Sequence, residues 1–499
     1  MFYTLANSSF GWSSVQLHVF VEPYRPPIPE LFYLAGSAAA VLVSFVLAGL
    51  FAKSNQGYRN YPRIRLHAWE AGEPRLRVWV VQFLELCSFL LFALVIATGF
   101  FGNSHPLHNF SPTFVWVIWW VGVAYASAFI GDIWYIVNPW KITFGWAETI
   151  WIRLGFNRAF GLSVPYPVWL GVWPAVILFL CFAWLENVYQ EAVIPSRISQ
   201  IILAYSVITW SGMFIFGKDI WLRRGEAFSL AFGFLSRFAP TEIRLKRHQL
   251  PRSNMNRTRT EDVVLEPIRE PTDKVGELMV RPFGAGLLKA EPGSSSHMVF
   301  VLLLLATVTF DGLTATSLWP AIQTNMGGWL PGMTAVGTFG LTVAILLFIG
   351  CYVAVSALMS FAAGRELGVR EIANAFVYTL IPIALAYHLA HFLLFLLVQG
   401  QLIIPLASDP FGSGWDLLGT ATYRVNFNLV GPNAYWFTSV IGIVVGHIAA
   451  VFLAHNTALQ LIRSRRLALR SQYPMLVLMV VYTVASLWII TQPMTMSAM

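Results

Sequence analysis

Two histidines interrupt an otherwise apolar stretch of the sequence, AYHLAHFLLF at residues 386–395. In a helix, His388 and His391 lie on one face, because residues three apart are neighbours on the helix surface. Two imidazoles at this spacing can supply two nitrogens to one metal ion, or one can bind the metal while the other orients it. The pair marks this stretch as a candidate site for metal or proton chemistry.

Other ionisable residues also occur inside long apolar stretches. A charge near the bilayer centre costs about 2.5–3.5 kcal/mol, so such residues usually face protein or water and often mark function. Counting along each helix at about 1.5 Å per residue places Asp311, His447 and the histidine pair roughly 15–28 Å from the inner helix ends, close enough in depth to share one site. Glu186, at the outer end of its helix, is expected to contact solvent. The residues of this kind are Asp132, Glu186, Asp311, His388, His391, His447 and His455.

A mixture of histidines and a carboxylate is typical of zinc sites that keep one position for water. Zinc-bound water ionises near neutral pH and becomes a nucleophile for hydrolysis, and two histidines with a carboxylate can equally hold iron. The alternative is that these side chains only hydrogen-bond between helices, as polar residues commonly do in membrane bundles. The candidate catalytic residues are Asp311 and Asp132, and the candidate metal ligands are His391, His447, Asp311, His388 and His455.

The composition predicts the helices that must position these residues. The chain has 499 residues, of which 57% are hydrophobic and 11% are charged, whereas soluble chains average about 25% charged residues. A bilayer core about 30 Å thick is crossed by about 20 apolar residues in a helix. We predict an all-α integral membrane protein with ten spanning helices, near residues 30–52, 77–101, 112–136, 167–185, 198–216, 297–319, 334–362, 372–398, 435–457 and 474–491.

The positive charges lie on one side of this topology. The alternate loops, with the adjoining helix ends, contain 29 of the 32 Lys and Arg residues, and only Arg25, Arg197 and Arg424 lie on the opposite side. Because cytoplasmic loops concentrate Lys and Arg, we predict a bacterial inner-membrane protein with both termini extracytoplasmic. The net charge of +8 is explained by contact with an anionic lipid surface, and nucleic acid is not expected as a partner.

A long polar stretch divides the predicted helices into five and five. We predict an extracytoplasmic segment at 1–29, a first membrane half at 30–216, a cytoplasmic insert at 217–296, a second membrane half at 297–491 and a tail at 492–499. Two halves of five helices run in opposite orientations, as in inverted-repeat transporters.

Four short segments carry more specific expectations. NPWK (138–141) is expected to end the third span, because Pro disfavours helix at the residue before it. EAFSLAFGFLSRF (226–238) is too short to span and predicts an interfacial or re-entrant helix. DVVLEPIREP and GELMVRPFGAGLL, later in the insert, predict a small β-like structure.

Several long motifs resemble one known family. NFSPTFVWVIWWVGVAYASAFIGDIWYIVNPW (109–140) is similar to a run in membrane proteins of the fenitrothion hydrolase family. Further similar stretches are AYSVITWSGMFIFGKDIWLRRGEAFSLAFGFLSRFAP (204–240), VTFDGL (308–313), AHF (390–392), DPFGSGWDLLGTA (409–421), GHIAAVFLAH (446–455) and RSQYPML (470–476). The resemblance implies a membrane-bound hydrolase that cleaves an organophosphorothioate triester, releases a nitrophenol and works with a second membrane subunit.

The residues and the resemblance together favour a hydrolase subunit in which a metal-bound hydroxide, zinc first among the metals, attacks an apolar triester that enters from the bilayer. Two other functions stay open. The chain is alternatively a proton- or ion-coupled transporter, in which Asp311 and the histidines bind protons or an ion. It is otherwise a structural subunit of a larger membrane complex, with its buried polar residues serving assembly.

Overall fold

The computed structural model describes residues 27–51, 62–69, 75–156, 160–245, 276–288 and 293–492. Within these ranges, ten helices are long and apolar enough to cross a membrane, five before the polar insert and five after it. The predicted fold class, an all-α polytopic membrane protein, is confirmed.

The chain up to residue 236 contains ten α-helices and one π-helical stretch within the described residues. They are α1 (Glu30–Phe51), α2 (Arg75–Phe101), α3 (Phe110–Thr113), the π-helix (Phe114–Gly122), α4 (Val123–Phe129), α5 (Trp134–Val137), α6 (Pro139–Arg153), α7 (Trp173–Asn187), α8 (Pro195–Phe216), α9 (Lys218–Arg224) and α10 (Ala227–Ser236), with α3, the π-helix and α4 forming the third span.

The second half contains nine α-helices within the described residues. They are α11 (Ser295–Thr314), α12 (Leu318–Met326), α13 (Met333–Ala362), α14 (Val369–Phe376), α15 (Ile381–Gln399), α16 (Ile403–Ser408), α17 (Pro432–Leu461), α18 (Arg465–Ser471) and α19 (Tyr473–Thr491).

The third span ends earlier than predicted. Its helix stops at Phe129 rather than near residue 136, and Gly131 follows with a φ of 154° that side chains rarely adopt. The expectation that NPWK ends this span is wrong, because these residues begin α6. The Asn138 side chain caps α6 by accepting hydrogen bonds from the backbone N–H groups of Trp140 (3.0 Å) and Lys141 (3.1 Å). Pro139 is the first helical residue, and the N–H that it lacks would have no partner within the helix at that position.

The short helix α10 packs inside the bundle. Phe228, Ala231, Phe232 and Phe234 are buried, and the helix contacts α4 and α7 of the first half and α15 of the second. This helix does not expose a polar face of the kind that an interfacial helix presents. Its position in the membrane, interfacial or re-entrant, stays a prediction. Within the bundle, α10 forms a wall of the cavity described below.

A three-stranded antiparallel sheet confirms the β-like structure predicted for GELMV. Strand β3 (Gly276–Val280) lies between β1 (Ile64–Trp69) and β2 (Thr241–Leu245). In register, Glu277 is opposite Ala68 of β1 and Arg244 of β2. The stretch DVVLEPIREP lies outside the described residues.

Helices α15 and α17 pack closely because Gly446 has no side chain. A Cβ at Gly446 would lie 2.4 Å from the Ala386 Cβ and 2.7 Å from the Pro382 carbonyl oxygen. Two hydrogen bonds tie the same helices together, from Tyr435 Oη (2.7 Å) and Ser439 Oγ (3.3 Å) to the carbonyl oxygen of Ala390. Small residues commonly allow such close approach between membrane helices.

Replacing Gly446 by Val is expected to lower the apparent unfolding temperature of the detergent-purified protein, because overpacking a tight contact costs about 1–3 kcal/mol. The matched control is Gly350→Val, since a Cβ at Gly350 meets no atom within 4 Å. Equal unfolding temperatures for the two variants would contradict the close packing of α15 on α17.

Candidate functional site

A small cavity lies inside the bundle where the third span meets α7, α10, α11 and α15. It encloses about 40 Å³, space for a few water molecules. We call it the site cavity, and its polar lining residues are Glu186 of α7, Thr307 and Asp311 of α11 and His388 of α15. Its other lining residues are Trp120, Ala124, Phe179, Ala231, Phe232, Leu235, Leu304, Val308, Ala384 and Phe392.

Helical periodicity explains how α11 and α15 contribute to this cavity. Leu304, Val308 and Asp311 are four and three residues apart, so they follow one face of α11. His388 and Phe392 likewise lie one turn apart on α15. From Leu304 to Asp311, the face extends about 10 Å along the helix axis. The carboxyl group is therefore at one end of a narrow and otherwise largely apolar space.

Asp311 forms a hydrogen-bonded pair with His391. The Asp311 Oδ2 and His391 Nε2 atoms lie 2.8 Å apart, and the two side chains are only 16% and 11% exposed. The imidazole N–H donates to the carboxylate, which fixes the orientation of the ring. The depth count predicted that these residues of two helices share a site, and the structure places them in direct contact.

His388 presents an imidazole without a hydrogen-bond partner. Both ring nitrogens are buried and unpaired, and the ring packs edge-on against Trp120 (5.9 Å between centroids) and Tyr125 (5.4 Å). Tyr125 donates its hydroxyl hydrogen to the His388 carbonyl oxygen at 3.0 Å, which ties the third span to α15. An unpaired buried polar group is costly, so the His388 ring nitrogens mark a place in the cavity where a small polar ligand such as water would bind.

Glu186 lines the site cavity, contrary to the expectation that it contacts solvent. Trp120 Nε1 donates a hydrogen bond of 2.6 Å to Glu186 Oε1, and both side chains line the cavity together with Asp311. Trp120 lies in the π-helical stretch Phe114–Gly122, and π-helical segments are frequently found at functional sites. The aromatic run at 114–120 is visible in the sequence, but its spacing cannot identify Glu186 as the hydrogen-bond partner of Trp120.

His447 does not line the site cavity. Its Nδ1 donates to the Ile443 carbonyl oxygen at 2.8 Å, and its ring centroid is 5.8 Å from that of Tyr482. His455, two turns further along α17, bonds through Nδ1 to Gln472 Oε1 at 3.0 Å. The predicted set is thus divided: Asp311, His388 and His391 come together, whereas His447 and His455 occupy separate positions.

Asp132 also lies apart from the site cavity. Its Oδ1 accepts a hydrogen bond of 3.1 Å from the Tyr135 N–H, so it helps to shape the turn after the third span. Burial raises the pKa of the Asp132 carboxyl, against the opposing effects of that hydrogen bond and of the nearby Lys141 charge. Asp132 is therefore a turn residue in this structure and has no contact with the Asp311–His391 pair.

Lys141, close to Asp132, is expected to react with amine reagents at an unusually low pH. Burial lowers the pKa of Lys141 to about 8, although Glu85 opposes this, and an ordinary lysine has a pKa of about 10.4. Its ammonium group donates to the Tyr135 carbonyl oxygen at 2.6 Å. The free amine should become available as the pH rises through about 8.

Pulsed acylation followed by peptide mass spectrometry measures this reactivity. Half-maximal labelling of Lys141 is expected near pH 8 in the folded protein and near pH 10.4 after denaturation, where the ordinary pKa returns. The same midpoint in both samples would contradict the effect of burial.

The donor atoms at the cavity do not complete a zinc site. Among the residues that the structure describes, no three His, Cys, Asp or Glu side chains converge to hold a metal ion. Catalytic zinc takes three protein ligands, and the contact of Asp311 with His391 supplies two. Zinc at this position stays a prediction, which metal analysis of the purified chain would test.

No family model, curated protein or solved structure matches this chain. The chemistry of the site therefore has to be argued from its own geometry.

Proposed function

We propose that the chain is a membrane transport protein that binds and releases protons at the site cavity. The observation that carries this proposal is the grouping of Glu186, Asp311 and His388 around one buried, water-sized cavity, with His391 bonded to Asp311. Ionisable side chains within membrane-spanning helices are expensive, and they recur in the proton relays of pumps and transporters.

The pair of Asp311 and His391 can hold one proton in two ways. Across the 2.8 Å between Nε2 and Oδ2, the pair is either an imidazolium with a carboxylate or a neutral imidazole with a carboxyl group. Glu186 lines the same cavity, and two carboxylates facing one poorly solvated space resist being ionised together. Gain of a proton by one acid therefore favours its loss from the other, which is the coupling that a proton carrier needs.

The cavity volume and donor types favour protons over other cargoes. Pockets for organic ligands usually measure about 300–1,000 Å³, far more than the 40 Å³ of the site cavity. Hard metal cations prefer sites made entirely of oxygen ligands, whereas half of the ionisable groups here are imidazoles. Imidazole is the side chain that exchanges protons most readily near neutral pH.

The same proposal includes an orientation. The loops rich in Lys and Arg lie in the cytoplasm and both termini lie outside, in a bacterial inner membrane. Asp311 and Glu186, near the final residues of α11 and α7, then lie in the outer half of the bilayer. The cavity is consequently closer to the extracytoplasmic surface, and a proton needs a further route to the cytoplasm.

Reconstitution into liposomes tests the proposal. The purified chain is inserted into vesicles that contain a pH-sensitive dye, and a potassium gradient with valinomycin imposes a membrane potential. We expect a change of internal pH faster than in protein-free vesicles, whereas a protonophore added at the end gives the same full change in both samples. A rate equal to that of protein-free vesicles would overturn the proposal.

A second candidate function is hydrolysis of an apolar triester such as fenitrothion. The observation that favours it is the Asp311–His391 pair, because a carboxylate that orients an imidazole is the arrangement of a general base that activates water. The cavity walls are apolar and aromatic, which suits an uncharged triester, but the cavity has to open before it can admit one.

Nitrophenol release from a nitrophenyl phosphorothioate tests hydrolysis directly. The chain is assayed in detergent and in membranes that contain any second membrane subunit, with and without added zinc. Turnover that is lost in His391→Gln supports the hydrolase, and no release under any of these conditions removes it.

A further inference from the structure

A second group of buried polar side chains adjoins the site cavity. Its members are Thr309 of α11, Tyr387 of α15, His447 of α17, and Tyr482 and Ser486 of α19. Tyr387 and His447 are each 1% exposed and Ser486 is fully buried. Four different helices thus direct polar atoms into one region of the bundle interior.

His391 lies between this group and the site cavity. It follows His388, which lines the cavity, by three residues and Tyr387 by four, so it neighbours both on the surface of α15. The Tyr387 and His391 rings are 6.5 Å apart between centroids. The Tyr387 hydroxyl lies against Gly312, where an added Cβ would be 2.3 Å from it. It is therefore close to the backbone that carries Asp311.

The group continues from Tyr387 towards the middle of α17. The Tyr387 and Tyr482 rings are 6.4 Å apart, and the Tyr482 and His447 rings are 5.8 Å apart. The Tyr482 hydroxyl shares a hydrogen bond of 2.6 Å with Thr309 Oγ1. His447 is the sixteenth of the thirty residues of α17, so this series of polar groups ends near the centre of that helix.

Three polar atoms in this group are buried without a hydrogen-bond partner: Tyr387 Oη, His447 Nε2 and Ser486 Oγ. Each such atom costs about 1–3 kcal/mol when it stays unpaired, and buried water commonly satisfies groups of this kind. Three orphaned atoms in one region indicate a place where polar ligands of the size of water bind. Such ligands would connect hydroxyl groups that are too far apart for direct contact.

The hydrogen bond of His447 fixes which of its nitrogens can accept a proton. Nδ1 lies 2.8 Å from the Ile443 carbonyl oxygen, and a carbonyl only accepts, so Nδ1 carries the hydrogen. In the neutral ring, Nε2 is then a bare acceptor. His447 Nε2 is one of the three unpaired atoms of the group.

We infer that Tyr387, Tyr482 and His447 form a proton path that connects the Asp311–His391 pair with the middle of the bundle. This inference rests on the proposed function. A proton leaves the His391 imidazolium, and each tyrosine oxygen accepts one proton while its own hydrogen moves on through bridging water. His447 Nε2 receives the last proton and becomes an imidazolium, so that one positive charge moves and each tyrosine ends neutral.

The liposome assay tests the path with Tyr387→Phe and Tyr482→Phe, which remove only hydroxyl groups. Each variant is expected to lower proton flux by about ten-fold or more, because a missing proton-transfer group commonly costs at least that factor. The matched control is Tyr352→Phe, since Tyr352 is equally buried but donates to the Ala373 carbonyl oxygen, away from this group. Size-exclusion profiles establish that the variants are folded.

Each outcome decides between the two proposals. Low flux in both path variants, with normal flux in Tyr352→Phe, supports the path. If both path variants keep flux within about two-fold of wild type while Asp311→Asn loses it, the path is overturned and the proposed function stands. If the wild-type chain moves no protons, the proposed function is overturned and the path with it.

Discussion

Replacing Asp311 by Asn is expected to reduce proton flux in liposomes by about 100-fold or more, the usual scale for removing an essential acid or base. Asn has nearly the same shape, and its amide oxygen can still accept the hydrogen bond from His391 Nε2 that Asp311 accepts at 2.8 Å. What it lacks is the ability to take up and release a proton. The variant therefore separates proton chemistry from the packing of α11 against α15.

Asp132→Asn is the matched control for this prediction. Asp132 was the other candidate catalytic residue from the sequence, but it bonds to the Tyr135 N–H and does not line the site cavity. Its flux should equal that of wild type. Wild-type flux in Asp311→Asn, or equal losses in both variants, would contradict the assignment of Asp311 as the proton-binding carboxylate.

The variant also distinguishes the two candidate functions. A general base in a hydrolase needs Asp311 to stabilise the imidazolium of His391, so Asp311→Asn would slow nitrophenol release in that case. The activity of the wild-type chain shows which assay applies to the variant. A transporter has to show proton flux, and a hydrolase has to show nitrophenol release. A structural subunit would show neither activity, and its Asp311 variant would differ from wild type only in stability.

Replacing Glu226 by Ala is expected to produce the largest loss of stability of any single change considered. Glu226 is fully buried and caps α10, accepting hydrogen bonds from the N–H groups of Phe228 (2.9 Å) and Ser229 (2.7 Å). It also accepts from Tyr205 Oη (2.5 Å), Asn138 Nδ2 (3.3 Å) and Trp134 Nε1 (3.5 Å).

Alanine would remove the shared acceptor of these five donors inside the bundle, of which Asn138 Nδ2 keeps a second acceptor, Ser229 Oγ, at 3.2 Å. Because each buried donor left unpaired costs about 1–3 kcal/mol, we expect a loss of at least about 3 kcal/mol, seen as a lower unfolding temperature in detergent or as a failure to accumulate. Glu226→Gln keeps one acceptor oxygen but turns an NH₂ group towards the remaining donors, so its stability should lie between those of Ala and wild type.

Glu191→Ala is the matched control for the Glu226 variants. Glu191 pairs with Arg197 at 2.8 Å, but both side chains are nearly half exposed, and exposed ion pairs contribute little to stability. No measurable change in unfolding temperature is expected. If Glu191→Ala and Glu226→Ala lowered the unfolding temperature equally, the α10 cap would contribute no more to stability than an exposed ion pair.

The position of α10 gives the Glu226 prediction a functional consequence. Ala231, Phe232 and Leu235 of this helix line the site cavity, so the cap at Glu226 helps to hold one of its walls. A variant such as Glu226→Gln that still folds should therefore lower proton flux by shifting α10, even though Glu226 itself takes no part in proton transfer.

The sequence by itself determined the class of protein and the number of its spans. Long apolar stretches have few stable arrangements other than helices in a membrane, because unpaired backbone groups cannot be left in lipid. The same reasoning identified Asp311, His388 and His391, since ionisable residues are rare at membrane depth and their position along a helix can be counted. Composition and depth are properties of single segments, so they can be read without knowing the fold.

Only the tertiary structure decided which of these residues meet. Depth counting gave Asp311 and His447 equal standing as partners for His391, but rotation about the helix axes brings Asp311 into contact and turns His447 towards Tyr482. Glu186 was expected in solvent because it ends an apolar stretch, and the hydrogen bond from Trp120 shows that the third span packs over it. The burial of α10 was equally undecided by its length.

The physical reason is that contacts between helices depend on rotation, tilt and the small residues that permit close approach, and none of these follows from the hydropathy of one segment. Gly446 sets the distance between α15 and α17 through its missing side chain, and the turn at Gly131 ends the third span before Asp132. The sequence names the residues capable of proton chemistry, and packing selects the few that share a cavity.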